Sequence, residues 1–377
     1  MDTLLSVFTP EGFLNTIHYA WSFFLILSGI IFIHEFGHYI IAKWCGVKIE
    51  AFSIGFGKEL FGWNDKSGTR WKFSLIPMGG YVKMFGDSGA ASTPDAEKAA
   101  TMTDEEKDVS FHYKPLWKKA AIVAAGPAFN FILTISILTG ILLTYGMAST
   151  TPVVSVVLPD SVASTADFKS GDIIVSIDGK EVKTFGDIPR IIATNTGTPV
   201  HIVSERDGTI IEQDVTPRMT QIDDAFGNKV DWPMLGIQSQ EHTSQDMGFF
   251  EAVLESVKRT YNICATSLYA VGQMITGDRD ASELKGPIGI AKLSGQATVM
   301  DFGTIIWFIA MLSANLGLVN LFPIPLLDGG HLLFYAIEAT TGRPLAEKFQ
   351  EYGFRVGFAL IACLMAFTIL NDLRTIF

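Results

Sequence analysis

The sequence predicts a polytopic α-helical membrane protein with four transmembrane helices, an inserted extracytoplasmic β-rich domain and a β-hairpin in the loop between the first two spans. Three observations predict it. Only 18% of the 377 residues are charged, against roughly 25% in soluble domains. Four apolar stretches approach or exceed the roughly 20 residues that cross a hydrocarbon core about 30 Å thick. Between the second and third stretches lies a long region with two Asp-Gly turns set between β-branched runs. The formal net charge of −11 argues against nucleic acid as a partner, because neutralising phosphates needs Lys and Arg. Cys45, Cys264 and Cys363 are odd in number and lack C-x-x-C spacing, so neither a disulfide framework nor a thiolate zinc site is encoded. Any metal must be held by His and carboxylates.

The four spans are residues 17–42, 120–145, 302–327 and 356–370, the last extended by Tyr352 to Phe354 if Arg355 snorkels. Residues 1–16 contain no Lys or Arg, and no small-residue cleavage site follows, so a cleaved secretory signal is not expected. Lys43 and Lys48 follow the first span, and Lys114, Lys118 and Lys119 precede the second. This basic asymmetry puts the intervening loop in the cytoplasm and the N-terminus outside. Within that loop, residues 87–108 read as flexible and without chemistry. The stretch Lys72 to Lys83, with Gly79, Gly80 and Tyr81, reads as a hairpin-like element. Residues 247–276 mix Glu251, Glu255, Lys258 and Arg259 with Leu268, Val271 and Ile275, which suits an amphipathic helix lying on the surface better than a fifth span.

The outside region carries its own pattern. Val153–Leu158 and Ile173–Ile177 are β-rich, and the latter runs into Asp178-Gly179; Val200–Arg206 and Thr209–Thr216 flank Asp207-Gly208; Phe185–Thr194 reads as one short helix. With the string Ser170-Gly-Asp-Ile-Ile-Val-Ser-Ile-Asp-Gly179, these elements resemble a PDZ domain, a module that captures a peptide by adding it to a sheet edge. The expected organisation is a membrane core over 1–148, a PDZ-like domain over 150–217, a linker and amphipathic surface helix over 218–301, and a C-terminal membrane core over 302–377.

The chemistry sits in the first span, in Ile33-His34-Glu35-Phe36-Gly37-His38. Positions i and i+4 share a helix face, so His34 and His38 can bind one zinc ion, and Glu35 is placed to work as a general base on water there. Three ionisable side chains in a membrane helix cost several kcal/mol unless buried, paired or metal-bound. Zinc needs a third protein ligand, and Asp328 is best placed to supply it. Asp328 follows Asn320-Leu-Phe-Pro-Ile-Pro-Leu-Leu, where Pro323 and Pro325 break the helix and set irregular backbone at membrane depth, tolerated only where it lines a cavity. His34 lies roughly 25 Å along an inward-running span and so near the cytoplasmic face. Asp328 reaches that face only if the third span also runs inward, which again requires that 247–276 does not cross. Asp-Gly is also a turn, and His331 is an alternative ligand.

The H-E-F-G-H span, Ala-Gly126-Pro-Ala-Phe-Asn130 in the second span, the PDZ-like domain, Lys-Gly286-Pro-Ile-Gly289 and the N-x-x-P-x-P-x-L-D-G of the third span together resemble the bacterial site-2 proteases, most closely the regulator of sigma-E protease group, over nearly the whole chain. The resemblance implies one Zn2+ held by His34, His38 and Asp328, Glu35 as catalytic base, and Asn320, Pro323, Pro325, Gly79, Gly80 and Tyr81 as substrate contacts. It implies a bacterial inner-membrane location with the PDZ-like domain in the periplasm, and a membrane-associated β-hairpin at Lys72 to Lys83. The implied partners are a single-pass membrane-protein substrate, such as an anti-sigma factor or a signal-peptide remnant, and a peptide C-terminus at the PDZ-like domain. The best-known members carry two tandem PDZ domains, whereas 150–217 accommodates one. Gly126, Pro127 and Asn130 read as helix-packing and kinking residues. A metal transporter or a non-proteolytic PDZ scaffold is the other class of function, but neither needs a base such as Glu35 beside the first ligand.

Overall fold

The computed structural model describes residues 10–87, 101–149, 151–193, 197–223, 229–239 and 243–376. In chain order the elements are α1 (Pro10–Trp44), β1 (Ile49–Asn64), β2 (Arg70–Met84), α2 (Asp104–Val109), α3 (Leu116–Tyr145), β3 (Met147–Ser149), β4 (Val156–Val157), α4 (Val162–Thr165), β5 (Ile173–Ile177), β6 (Lys180–Glu181), α5 (Asp187–Ile192), β7 (Val200–Arg206), β8 (Thr209–Val215), β9 (Arg218–Asp223), β10 (Lys229–Met234), β11 (Ile237–Gln238), β12 (Thr243–Gln245), α6 (Phe249–Thr276), α7 (Pro287–Val299), α8 (Phe302–Asn320), α9 (Asp328–Thr341) and α10 (Glu347–Ile376). Contacts divide the chain into one unit of Met1–Ile137 with Ser282–Phe377 and a second of Leu138–Ala281.

The first unit is helical because its sequence is apolar over lengths that a bilayer selects. Among the described residues, α1, α3, α8 and α10 are long and apolar enough to cross a membrane. Two spans differ from their expected bounds. The third helix stops at Asn320, because Pro323 and Pro325 cannot continue it, and Asp328 begins α9 instead of ending the span. The fourth is a continuous helix over Glu347–Ile376, far longer than its apolar centre suggests. Small residues let α1 and α3 cross closely: a Cβ on Gly37 would lie 2.5 Å from the Ala125 carbonyl oxygen.

Lys72 to Lys83, expected to fold into a hairpin, do not pair with one another; they lie in β2, whose partner is β1. Ala51–Ile54 is sandwiched between Arg70–Phe73 and Gly80–Lys83, while Glu59–Asn64 pairs with Arg70–Ser74. Gly80–Met84 is thus an outer segment. The sheet is welded to α1 by aromatic packing: Phe52, fully buried, stacks on Trp71 with centroids 4.4 Å apart and meets Tyr39 edge-on at 5.6 Å. Asp65, at the turn, accepts from Tyr39 Oη (2.9 Å), Trp71 Nε1 (3.2 Å) and the Thr69 amide (2.9 Å). Of the expected flexible loop, residues 88–100 lie outside the described residues. The remainder is ordered, because Thr103 and Glu106 form a reciprocal capping box on α2 and Met102 and Phe111 are buried.

In the second unit, β6-β5-β7-β8 form a four-stranded sheet over a core of Val154, Phe168, Ile174, Ile177, Ile188, Val200 and Ile202. Both Asp-Gly turns hold two consecutive residues at positive φ (Asp178 48°, Gly179 73°; Asp207 50°, Gly208 78°), the type I′ geometry that matches strand twist. The Val153–Leu158 run forms a strand only at Val156–Val157, which pairs with Ile237–Gln238. Leu235 and Ile237 join the core, so the strands of this core continue beyond residue 217. Residues 249–276 form the amphipathic α6, which buries Ala252, Ser256 and Thr260 at four-residue spacing; Thr139 Oγ1 donates to Ser256 Oγ at 3.1 Å.

Candidate metal centre and active site

One turn of α1 separates His34 from His38, so both imidazoles project from the same face, and the two side chains are 8% and 9% exposed. Their Nε2 atoms are 3.2 Å apart. Asp328, the first residue of α9, brings Oδ2 to 3.1 Å from His34 Nε2 and Oδ1 to 3.6 Å from His38 Nε2. The three residues each offer a ligand atom within 4.8 Å of the others.

The donor set fits zinc. Tetrahedral bonds of about 2.1 Å place ligand atoms about 3.4 Å apart, close to the spacings found here. His38 Nδ1 lies 2.8 Å from the Ile122 carbonyl oxygen; a carbonyl only accepts, so this nitrogen carries the proton and Nε2 presents a lone pair to the cluster. Among the described residues, buried Asp328 Oδ2 has no hydrogen-bond donor, which suits an oxygen that a cation would satisfy. His34 Nδ1 faces the side-chain amide of buried Asn130 at 3.1 Å.

The turn that delivers Asp328 is folded tightly on itself. A Cβ on Gly329 would lie 2.3 Å from the carbonyl oxygens of Leu321 and Phe322, and one on Gly330 would lie 2.4 Å from that of Ile324. Only glycine admits this approach, which explains the pair after Asp328. Leu326 takes φ +90°, a strained conformation that such a site retains at a cost of about 1–3 kcal/mol.

These residues border a cavity of about 460 Å³, lined by His34, Glu35, His38, Asp328 and Asn320 and walled by Gly79, Gly80, Tyr81, Val82 and Met84 of β2. The Gly80 backbone packs so closely that a Cβ there would sit 3.2 Å from Glu35 Cγ. Pro323 and Pro325 are not among the lining residues; Pro325 instead packs beneath α10, where a Cβ on Gly357 would lie 2.0 Å from its carbonyl oxygen. His331 faces the cavity but stays outside the three-residue cluster, its ring against Phe334 and Phe354. Sequence reading treated Gly126 and Asn130 as packing residues. Both touch the histidines: a Cβ on Gly126 would lie 2.3 Å from His38 Nε2. An Asn in an uncharged stretch such as 120–145 was the available signal.

The model of peptidase family M50 matches residues 22–364. A candidate zinc metalloprotease of Agrobacterium fabrum is 43% identical over 384 residues, covering 100% of both chains. One of Rhizobium meliloti is 42% identical over 360 residues, covering 94% of this chain and 96% of its own. Metalloprotease MmpA of Caulobacter vibrioides is 37% identical over 376 residues, covering 94% of each. Among solved structures, the PDZ domain of an SdrC-like protein from Listeria monocytogenes is 24% identical, with a TM-score of 0.19, covering 22% of this chain and 82% of its own. The chain is therefore a zinc metalloprotease and belongs to peptidase family M50.

Proposed function

We propose that this zinc metalloprotease cleaves peptide bonds inside or at the edge of the membrane, in transmembrane segments of single-pass substrates. The observation that carries this reading is the cavity itself: its His34, His38 and Glu35 belong to an apolar spanning helix, and Asp328 opens the helix after another, past the break at Pro323 and Pro325. His34, His38 and Asp328 would hold the ion, which supplies Lewis acidity toward the scissile carbonyl and acidifies the attacking water. Glu35 takes the proton of that water and returns it to the leaving amine. The Asn320 amide donates to the oxygen on which charge develops. A helical substrate hides its carbonyls and must first unwind; the outer Gly80–Met84 segment offers an edge to which an extended peptide can add, beside Glu35.

We further read residues 150–217, within the second unit, as a PDZ-like domain on the outer side of a bacterial inner membrane, where it screens substrates or captures a trimmed C-terminus and takes no part in the chemistry. Replacing residues 152–216 with a short flexible segment should leave cleavage of a trimmed membrane peptide intact; complete loss of that activity, with zinc retained, would rule out screening. The central test of function compares membrane-protein fragments accumulating in cells with wild-type and Glu35→Gln protein. Substrate fragments absent from wild-type cells should build up with the variant, and identical fragment patterns would overturn the reading.

A further inference from the structure

We propose that Asn130 is a positioning residue for the metal centre, accepting a hydrogen bond from His34 Nδ1 through Oδ1 and so holding His34 Nε2 unprotonated toward the ion. The inference rests on the reading of His34 as a zinc ligand, and it assigns the second-span motif a role that the proposed mechanism leaves unused.

Geometry limits what Asn130 can do. The residue is fully buried in α3, and among the described residues its amide meets a polar group at one end only: that end lies 3.1 Å from His34 Nδ1, while Oδ1 at the other end has no partner there. A half-turn about the bond to the amide exchanges oxygen and nitrogen without moving any other group. The orientation of the amide is therefore decided by where the His34 proton sits. If the amide nitrogen donates to Nδ1, the proton of neutral His34 is forced onto Nε2, where it points at Asp328 Oδ2 and His38 Nε2, 3.1 and 3.2 Å away. A ligand nitrogen cannot carry that proton. With the oxygen turned toward Nδ1, the proton sits on Nδ1 and Nε2 is free, the same tautomer that the Ile122 carbonyl imposes on His38. The two histidines are thus oriented by the same helix in two ways, one by backbone and one by side chain.

The residue is also held in place. Its backbone oxygen accepts from Ser313 Oγ at 2.9 Å and from Thr134 Oγ1 at 3.0 Å, and Gly317 of α8 allows an approach in which its Cβ would lie 3.2 Å from Asn130 Cβ. These contacts fix the Cα–Cβ direction and leave the amide to serve His34. They also supply the control, since a purely packing role would pass through the same contacts.

The experiment measures zinc affinity of the purified full-length protein by competition with a chelator, for wild type, His34→Ala, Asn130→Leu, Asn130→Asp and Thr134→Val. Asn130→Leu keeps the volume and removes the acceptor, so affinity should fall about 10- to 100-fold. Asn130→Asp restores an acceptor and should return affinity to within a few-fold of wild type. Thr134→Val removes one of the two hydrogen bonds to the Asn130 carbonyl, leaves the Ser313 bond and the packing on Gly317 in place, and should bind zinc as wild type does. Asn130→Leu binding at wild-type strength, Asn130→Asp as weak as Asn130→Leu, or Thr134→Val as weak as Asn130→Leu would each overturn the proposal. Wild-type affinity in His34→Ala would instead show that the ligand assignment beneath it is wrong. A measurement on unaltered protein guards against variants that fail to fold: nitrogen resonances of labelled histidine in the zinc-loaded protein should show the His34 proton on Nδ1, and a proton on its Nε2 would refute the idea.

Discussion

Asp328 Oδ2 lies 3.1 Å from His34 Nε2, although one residue sits on the first helix and the other opens a helix near the end of the chain. The site is thus complete only when the start of α9 packs against α1. Removing any ligand should affect metal before chemistry. We expect His34→Ala and Asp328→Asn to lower zinc affinity at least about 100-fold, since even residues behind the ligands are worth 10- to 100-fold. Glu35→Gln should keep zinc and lose cleavage. Elemental analysis beside a peptide-cleavage assay reads both, and an active Glu35→Gln enzyme would dismiss the assigned base.

Gly126→Ala tests the close approach of α3 to the histidines. The added methyl would lie 2.3 Å from His38 Nε2, 2.6 Å from His38 Cε1 and 2.8 Å from His34 Cε1, so both imidazoles must move. Zinc content and activity should fall together while the protein remains inserted in membranes. Normal zinc content in this variant would mean that the two helices are farther apart than the structure has them.

Much of this site is legible in the sequence because helix periodicity is short-ranged: His34 and His38 share a face by spacing alone, and a charged trio in an apolar helix demands a reason. Asp328 needed a depth argument, which reached the right neighbourhood but misjudged the element, since the helix ends eight positions earlier at Asn320. Contacts that depend on two helices crossing left weaker traces. Asn130 stands out as a polar residue in an uncharged span, but the sequence does not say that Gly126 touches His38 or that the asparagine faces His34. The Gly and Pro residues between Lys72 and Lys83 suggest a local hairpin, but the partner of this stretch is Ile49–Asn64, and pairing on both sides of Ala51–Ile54 leaves no local signal in the sequence. Thr103 and Glu106 had a readable capping signature inside a stretch taken as flexible.

The proposed membrane orientation rests on the basic residues at Lys43, Lys48, Lys114, Lys118 and Lys119, which the positive-inside rule puts on the cytoplasmic side. A single cysteine placed at Gly342, between α9 and α10, should be protected from an impermeant thiol reagent in spheroplasts, and one at Gly208, in the β7–β8 turn, should react. Labelling at Gly342 would reverse the inferred direction of α8.

Asp65 should make docking of the sheet onto α1 sensitive to acid. Burial alone raises this carboxyl, but hydrogen bonds from Ser67, the Thr69 amide, Trp71 and Tyr39 outweigh it and hold the carboxyl well below the usual carboxylate range. A depressed folded-state value contributes stability above the unfolded value of about 3.9 and loses it as pH falls below that point. Asp65→Ala should cost about 2 kcal/mol at neutral pH and raise hydrogen exchange at Trp71 and Thr69. Unchanged exchange there would show that the aromatic stack alone holds the sheet.

In the second unit, Arg206 and Asp172 make the one bidentate pair we single out for a pH-resolved test. Arg206 Nε and Nη2 donate to the two oxygens of Asp172 at 2.6 and 2.8 Å, and the Asp172 side chain is 0% exposed. Lys169 N donates to the same carboxylate at 2.8 Å. Burial raises the carboxyl, and the guanidinium with the Lys169 amide more than offsets this, leaving it below its ordinary value. Arg206→Met removes the cation and leaves an anion buried, which costs about 3–5 kcal/mol. The sign with pH follows from linkage. Paired Asp172 stabilises the folded unit above about pH 4 and loses that contribution as pH falls through its depressed value. In Arg206→Met the carboxyl shifts upward, and protonation then relieves the buried charge. The gap in stability between the two proteins should therefore be widest at neutral pH and narrow as pH drops below about 4. Thermal unfolding of full-length wild type and variant, followed by a probe in the second unit at both pH values, measures it. A gap that stays constant with pH would show that Arg206 stabilises through packing of its stem rather than through the charge on Asp172.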